Sequence, residues 1–453
     1  MNNLMENVFL RRLVFLLVAS STIAIISFPA ADAQVLDLVH LDHLARGQPV
    51  ARSQRLARMF ARDMARMERR RMLGSSTTGL VSLADMHSGE FAAKMAVGTP
   101  PQNLWMVADT ASDLTWMKCT YAGNGNWTGG KFFLADNSNS FALVKCLHKG
   151  KAWSCPNEIE DAFDPVDWCR ISGNCAYDYS YAIGMAYGDF ARETITTNTA
   201  KFRNHLVGCT YAADSLDDIM GASYGILGLG SGKFSFVSQT SVTFGSLFSY
   251  CLVDHLSHLN VPGSLAFGPH PKPKTSGPTS CTELIPRVNN TFYGVKVEGI
   301  RVNGADLKIP RDTWKIDNYG RSGTIVDLGQ SFTSLNDEAY KKVMSSLNGA
   351  LSGFKRVRPS KTDTFEYCYH IWSNQPVKNF PLLEIVFEGG SVFVPEQSAL
   401  LIDYKQGVKC LGFVKNGGPY YNVIGNILQQ KHWFSFDTPK RQLCFASASC
   451  CAS

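Results

Sequence analysis

The sequence has little of what marks a membrane-embedded or helical protein. A single long apolar run, from Leu13 to Phe28, lies near the N-terminus, and neither a second run of that length nor a hydrophobic C-terminal tail follows it. Helical heptads are scarce, and no Cys-x-x-Cys pair occurs. These absences argue against a membrane-spanning body, a lipid-anchored C-terminus and a zinc site of the Cys-x-x-Cys type.

The apolar run has the form of a secretory signal peptide. Arg11 and Arg12 precede it, and the small-residue pattern Ala31-Asp32-Ala33 follows it as a cleavage site. A membrane anchor is the alternative, but the run is short for one. We therefore expect residues 1–33 to be removed and the chain to be secreted or delivered to a vacuole, with no stable membrane insertion afterwards.

Length and composition predict a two-domain, mostly β protein. At 453 residues the chain exceeds one ordinary domain, and 45% hydrophobic residues against 18% charged ones supply a large core. Short runs rich in Val, Ile, Phe and Tyr are punctuated by Gly, Asn and Pro, which is typical of strands joined by turns.

Thirteen cysteines lie between Cys119 and Cys451. In a secreted chain most of them should form disulfides, whereas metal binding is the alternative. Because thirteen is odd, at least one cysteine is left over, and the adjacent Cys450 and Cys451 make one of these two the candidate.

The positive charge is concentrated in one segment. The chain has a formal net charge of +6, of which residues 34–79 carry +5, from nine arginines against four acidic residues. Residues 1–33 balance to zero, so residues 80–453 carry only +1. A nucleic-acid-binding role for the main body therefore has little support.

Arginines recur at helical spacing between Arg52 and Arg71, with Leu, Met and Phe residues between them, which predicts an amphipathic basic helix. Such a helix can lie on a membrane surface or be solvated, but its position behind a signal peptide favours a removable propeptide over residues 34–79. A basic helix can lie across an acidic cleft until acid protonates the carboxylates. Cleavage is expected between Arg71 and Leu80.

Two stretches in the remainder share one pattern. An apolar strand leads to Asp109 in the first and to Asp327 in the second, and an apolar–apolar–Gly element follows later in each, at Gly228 and Gly425. These repeats indicate an internal duplication that displays two carboxylates at a shared acid–base site. The halves are expected at residues 80–270 and 281–453, joined by a proline-rich linker at 271–280.

With both halves in view, the chain resembles the pepsin-like aspartic proteases, and within them the cysteine-rich, nepenthesin-like branch of plants. The resemblance implies a bilobal fold of two pseudo-symmetric β lobes with a cleft between them. It also implies a monomeric aspartic endopeptidase that acts on a peptide or protein substrate. Besides the two Asp loops, the supporting stretches are Ala96–Gln102, Ser249–Leu252, Tyr293–Gly304 and Ile424–Gln430.

The resemblance assigns the catalytic dyad to Asp109 and Asp327, and the tyrosine of the hairpin flap to Tyr181. Two neighbouring carboxylates cannot both ionise cheaply, so they share one proton at working pH. The ionised one would activate a water that attacks the peptide carbonyl, while the protonated one polarises that carbonyl and later protonates the leaving nitrogen. This chemistry needs neither a cofactor nor a metal.

The loops around the dyad depart from the family pattern. Ala111 adds a Cβ where the family has glycine, which would strain a backbone of positive φ, and Leu328 replaces a hydroxyl that bridges the two loops in the family. These changes leave a second hypothesis open, a catalytically weak or inactive relative that binds a peptide or protein in its cleft. The candidate supporting residues are Thr110, Ser112, Gly329 and Gln330.

Three further motifs carry less weight. Gly221–Gly225 matches the Gly-x-Ser-x-Gly pattern of serine hydrolases but lacks the strand and the helix that this chemistry needs. His255 and His258 have no carboxylate or cysteine cluster beside them in the sequence to complete a metal site. Asn126 and Asn289 begin glycosylation sequons.

Overall fold

A computed structural model of the chain describes residues 33–41, 52–72, 89–125, 127, 132–149, 152–160, 169–170, 172–181, 184–214, 223–254, 262–269, 272–288, 291–317, 322–357, 365–372, 377, 380–417 and 421–450. Except for Ala33, the predicted signal peptide lies outside these ranges. The same holds for the sequon residues Asn126 and Asn289 and for His255 and His258.

Strands dominate the described part of the chain, as the short runs rich in Val, Ile, Phe and Tyr predicted. Up to residue 267 the strands are β1 (Gln34–His40), β2 (Phe91–Val97), β3 (Gln102–Asp109), β4 (Trp116–Thr120), β5 (Phe133–Leu134), β6 (Ala142–Leu143), β7 (Leu147–Lys149), β8 (Ala152–Ser154), β9 (Ala176–Tyr181), β10 (Gly184–Thr196), β11 (Lys201–Asp214), β12 (Gly225–Gly228), β13 (Leu247–Cys251) and β14 (Gly263–Phe267).

The strands continue through the second half of the chain as β15 (Ser280–Val288), β16 (Phe292–Val295), β17 (Val297–Val302), β18 (Ala305–Asp306), β19 (Thr324–Val326), β20 (Thr333–Leu335), β21 (Arg356–Val357), β22 (Cys368–His370), β23 (Leu383–Phe387), β24 (Val392–Phe393), β25 (Leu401–Lys405), β26 (Val408–Leu411), β27 (Phe413–Lys415), β28 (Asn422–Ile424), β29 (His432–Asp437) and β30 (Gln442–Ser447).

Helices are few among the described residues, and most are a single turn. The α-helices are α1 (Arg52–Met72), α2 (Asn157–Glu160), α3 (Phe236–Gln239), α4 (Ser241–Phe244), α5 (Asp337–Ala350), α6 (Gln397–Leu400) and α7 (Asn426–Gln429). Two short 3₁₀ helices cover Ala135–Asn137 and Arg311–Trp314. No helix of the described residues is long and apolar enough to cross a membrane.

The two halves repeat one strand arrangement, which confirms the predicted duplication. In the first half β3 runs parallel to β12, β12 is antiparallel to β4, and β4 runs parallel to β11. In the second half β19, β28, β20 and β27 take the same places and directions. A Cβ on Gly228 would lie 2.1 Å from the Asp113 carbonyl oxygen, and one on Gly425 would lie 2.6 Å from the Phe332 backbone. Glycine is therefore needed where backbone packs beneath each Asp loop.

The halves meet in an antiparallel sheet with the order β1, β14, β13, β29, β30, β15. Its central pair joins β13 of the first half to β29 of the second. Phe248 on β13 stacks on Phe436 of β29 with ring centroids 4.6 Å apart. Cys251, at the end of β13, forms a disulfide with Cys450. Aromatic packing and a covalent bond thus hold the two halves together.

Two stretches of the segment predicted as a propeptide, residues 34–41 and 52–72, are among the described residues and pack into this structure. The predicted basic helix is confirmed as α1, and its apolar side chains Leu56, Met59 and Met67 are buried in the core. The preceding strand β1 is paired on both sides, with β14 and with β2. The segment is therefore held through its backbone as well as through its side chains.

Six disulfides use twelve of the thirteen cysteines, as the composition predicted for most of them. Cys450 is paired, and Cys451 lies outside the described residues. The pairs are Cys119–Cys209, Cys146–Cys169, Cys155–Cys175, Cys251–Cys450, Cys281–Cys444 and Cys368–Cys410.

Candidate active site

Two carboxylates meet beneath the cleft, one from each half. Asp109 is the last residue of β3, and Asp327 directly follows β19, so the repeated strand arrangement places both at equivalent loops. Both residues are completely buried. A hydrogen bond joins the loops, because the amide of Leu328 donates to the hydroxyl of Thr110 over 2.9 Å. That hydroxyl lies 3.5 Å from the carbonyl of Val326, to which it donates.

The first loop supports its carboxylate with two local donors. The hydroxyl of Ser112 donates to Asp109 over 2.6 Å, and the amide of Ala111 donates to it over 2.9 Å. Ala111 is not among the residues of positive φ, and its side chain packs against an apolar cluster of the second half. The strain that the sequence suggested at this position does not arise, because the backbone there is one that alanine adopts easily.

The second loop relies more on its main chain. The amide of Gly329 donates to Asp327 over 2.8 Å. A Cβ on Gly329 would lie 2.5 Å from Asp109 Oδ1, so only glycine allows the loops to approach this closely. The amide nitrogen of Gln330 donates to the Phe332 carbonyl and to the Ser334 hydroxyl, at 2.8 and 3.1 Å. Gln330 thus braces the turn after the dyad.

A buried glutamine from another element holds the second loop from below. Gln429, at the end of α7, donates to the main-chain carbonyls of Asp327 and Ile424 over 3.2 and 2.7 Å. Its own carbonyl accepts the hydroxyl of Tyr250, on β13 of the first half, over 2.5 Å. Both residues lie in stretches that carried the family resemblance, yet sequence reasoning gave neither a role.

The guanidinium of Arg66, on α1, lies between the two carboxylates. It forms an ion pair with Asp109 and also donates to Asp327 over 3.2 and 3.4 Å. The Arg66 side chain is only 13% exposed, so this bridge is shielded from solvent. The helix that the sequence predicted to lie across an acidic cleft does so, and one arginine occupies the space between the paired carboxylates.

Two further contacts anchor α1 in the cleft. Asp63 accepts hydrogen bonds from the amides of Ser331 (3.0 Å) and Phe332, just beyond the Asp327 loop. Arg62 forms a buried ion pair with Glu90, immediately before β2. Sequence reasoning missed both, although an acid within an arginine-rich helix is a signal that such a residue has a specific partner.

Burial and neighbouring charge shift the titration of these groups in different directions. Burial disfavours ionised Asp109, but the Arg66 guanidinium and the Ser112 hydroxyl outweigh it and hold the pKa of Asp109 below its ordinary value. Burial opposes the charge of Arg66 too, yet both carboxylates hold its pKa above the ordinary value. Burial raises the pKa of Asp63 to about 7 despite its two amide donors. It also lowers the pKa of Arg62 to about 9.

The predicted flap is present as a hairpin. β9 and β10 pair antiparallel, with Tyr181 opposite Gly184 at the tip. The backbone of Tyr181 is described, whereas its side chain lies outside the described residues, as do Ala182 and Ile183. The assignment of Tyr181 to the flap position therefore stays a prediction at the level of its side chain.

Four cysteine sulfurs form the one group of described side chains with the proximity of a metal site. The sulfurs of Cys146, Cys155, Cys169 and Cys175 all lie within 4.8 Å of one another. They are paired as two disulfides, so these cysteines do not offer the thiolates that bind a metal ion.

This fold and this pair of buried carboxylates define a bilobal protein of the aspartic-protease class. Comparison with solved structures supports the fold. Superposition on edgp gives a TM-score of 0.65 at 16% sequence identity, covering 92% of this chain and 95% of that one. Basic 7S globulin from soybean gives 0.63 at 17% identity, covering 93% and 99%.

Sequence comparison defines the family. Residues 91–269 match the family described as Xylanase inhibitor N-terminal, and residues 292–447 match Xylanase inhibitor C-terminal. Aspartyl protease family protein 2 of Arabidopsis thaliana is 30% identical over 383 residues, 83% of this chain and 74% of that protein. Aspartic proteinase nepenthesin-2 of Nepenthes gracilis is 27% identical over 416 residues, covering 92% and 90%. The chain belongs to the plant pepsin-like aspartic protease family.

Proposed function

We propose that the chain is the precursor of an acid-activated aspartic endopeptidase, and that α1 blocks its active site until it is released. One observation carries the proposal: a single guanidinium, that of Arg66, contacts both Asp109 and Asp327. Two carboxylates that share one small cation face the same point, where a water and a peptide carbonyl would sit once the arginine leaves.

The local hydrogen-bond donors suggest which carboxylate of the dyad acts as the base and which as the acid. Ser112 and Ala111 donate to Asp109, which favours the negative charge of the pair on that residue. Asp109 would then act as the base that takes a proton from the water. Asp327 would hold the shared proton, polarise the peptide carbonyl and afterwards protonate the leaving nitrogen. The dyad titrates as one unit, so the division applies to the pair and not to isolated groups.

Acid is the natural trigger for release. Asp109 is stabilised as an anion by Arg66, so the contribution of this ion pair is present above the ordinary carboxyl pKa near 4 and is lost as the pH falls through the lowered pKa. Arg66 keeps its charge throughout, and a protonated dyad no longer holds it. The predicted cut between Arg71 and Leu80 would then break the covalent connection between α1 and the body.

The cellular setting and partners follow as part of the proposal. Six disulfides suit an oxidising compartment, which supports delivery through the secretory pathway to the outside of the cell or to a vacuole. The substrate class is a peptide or an unfolded protein, because the dyad acts on a peptide carbonyl. We propose a monomer that uses no cofactor.

The test is an acid-processing assay of the purified full chain with an unstructured protein substrate, with and without a transition-state-mimic peptide inhibitor. Cleavage should appear as the pH falls below about 4, the ordinary carboxyl pKa, and be blocked by the inhibitor. Asp109→Asn should lower kcat by about a thousandfold or more, whereas Asp306→Asn, the same change at an exposed position of β18, should leave it unchanged. Absence of inhibitor-sensitive cleavage at every acidic pH would refute the protease function.

A second function, peptide binding without cleavage, is favoured by a different observation. A side chain already fills the gap between the carboxylates, and in the second loop Leu328 stands where the family has a bridging hydroxyl. The matching family is described as xylanase inhibitor, which supports a non-catalytic role in some members. This alternative predicts that the acid-opened protein retains an unfolded peptide intact, with equal affinity in the Asp109→Asn variant.

A further inference from the structure

Asp113 lies four residues beyond the first dyad carboxylate, and its carboxylate joins the two halves of the chain. One oxygen accepts the amide of Gly232, in the first half, over 2.8 Å. The other accepts the hydroxyl of Thr291, in the second half, over 2.8 Å. Asp113 is half-buried and belongs to the same loop as Asp109, so the contact links that loop directly to the opposite half.

The surrounding backbone is shaped around this carboxylate. A Cβ on Gly230 would lie 2.3 Å from one oxygen of Asp113, and a Cβ on Gly232 would lie 2.0 Å from the other. The amide and hydroxyl of Ser231, between these glycines, both donate to the carbonyl of Thr291, at 2.8 and 3.1 Å. We call the set formed by Asp113, Gly230 to Gly232 and Thr291 the clasp.

Two hydrogen-bonded strands, β16 and β19, connect the clasp to Asp327. Thr291 directly precedes β16, whose Gly294 and Val295 pair with Ile325 and Thr324 of β19. β19 ends one residue before Asp327. β16 is held at a second point, because the hydroxyl of its residue Tyr293 donates to the carbonyl of Leu229 over 3.0 Å. Leu229 in turn donates its amide to the carbonyl of Asp109.

We infer that Asp113 and Thr291 are positioning residues that set the spacing of the dyad carboxylates across the two halves. This rests on the proposed function for its catalytic consequence, but the spacing itself is a property of the precursor. Charged hydrogen bonds such as those of Arg66 weaken steeply when their geometry is distorted. Loss of the clasp should therefore first weaken the contacts of the Arg66 guanidinium with the two dyad carboxylates.

The same threonine completes the Asn289-Asn290-Thr291 sequon, which offers a different explanation for its presence. The two explanations are separable by substitution. Thr291→Ser keeps both the hydroxyl and the sequon, Thr291→Val removes both, and Asn289→Gln removes only the sequon. The clasp predicts that Asn289→Gln and Thr291→Ser behave like the wild type, whereas Thr291→Val and Asp113→Asn do not.

The deciding experiment is a double-mutant cycle on the full-length precursor, read by hydrogen exchange of the α1 amides at neutral pH. Thr291→Val should reduce α1 protection on the order of tenfold in the wild-type chain but less than about twofold in an Arg66→Gln background. Equal losses in both backgrounds would show that Thr291 stabilises the fold without placing the carboxylates. No loss in either background would overturn the inference as well.

The kinetics of the processed enzyme provide a second test. Thr291→Val should lower kcat about tenfold with KM within twofold of the wild type, and Thr291→Ser should restore kcat. A raised KM with unchanged kcat would contradict a positioning role. If processed wild-type protein cleaves nothing, the proposed protease function fails, and the exchange cycle still decides the role of the clasp.

Discussion

Replacing Arg66 with glutamine should weaken the docking of α1 in the cleft at neutral pH. The Arg66 side chain is 13% exposed, and the carboxylates it bridges are at most 1% exposed. Removing one partner of a buried ion pair costs roughly 3–5 kcal/mol, and we take about 3 kcal/mol because the remaining carboxylates can share a proton. That corresponds to opening on the order of 100-fold more often.

Hydrogen exchange of the α1 amides, corrected for intrinsic rates, measures this opening. The effect of Arg66→Gln should be full above about pH 5 and should shrink by pH 3, because the contribution of Asp109 is lost as its carboxyl is protonated. The matched control is Arg52→Gln, the same change on the same helix. Arg52 pairs with Asp403 at 3.2 Å, with side chains 31% and 36% exposed, so its loss should cost at most about 1 kcal/mol.

Two results would refute this reasoning. Equal exchange in the Arg66→Gln and Arg52→Gln variants would mean that the bridge contributes no more than a surface pair. An Arg66→Gln effect of unchanged size at pH 3 would mean that the lost contact does not depend on ionised carboxylates, and the account of acid release would fail with it.

Three further predictions concern the site. Burial raises the pKa of docked Asp63 to about 7, so the contribution of Asp63 to docking is greatest near pH 4 and declines as the pH rises through 7. Hydrogen exchange of the α1 amides should therefore slow from pH 8 to pH 5. The Asp63→Asn variant should show a flatter dependence on pH. Gly329→Ala should abolish cleavage, because its Cβ would meet the first dyad carboxylate, whereas Ala111→Gly should leave kcat within about twofold; a peptide-cleavage assay distinguishes them. Thr110→Val should lower the free energy of unfolding by about 1–3 kcal/mol in a denaturant titration, since the buried amide of Leu328 loses its acceptor, and Thr110→Ser should restore it.

The sequence predicted those parts of the fold that local pattern determines. Short runs rich in Val, Ile, Phe and Tyr indicated a mostly β protein, helical spacing identified α1, and the repeated Asp loops revealed the duplication. The apolar–apolar–Gly elements that indicated the duplication end at Gly228 and Gly425, where backbone packs too closely for a Cβ. These features are short-range or repeated, so a single sequence contains the information.

The partners of individual polar side chains were not predictable in this way. Asp63 binds amides more than 260 residues away, and Gln429 binds the carbonyl of Asp327 about 100 residues before it. Such contacts depend on how two halves and a leading segment come together, which no periodicity records. For the same reason the orientation of Gln330 was not predictable; its side-chain amide donates to the carbonyl of Phe332 in the same turn.

Because β1 is paired on both of its edges, cutting of the propeptide and its release from the body are two separate events. Its register with β14 and β2 involves only residues 34 to 40 and their partners, far from the predicted cut between Arg71 and Leu80. Breaking that peptide bond removes no hydrogen bond of the strand. The immediate product would therefore be a nicked, two-chain molecule that still contains β1, and the sheet edge would become free only when the short chain is pulled away. Maturation of this protein should accordingly have two steps, cutting and dissociation, and dilution of the sample should make the second step more complete by suppressing rebinding of the short chain.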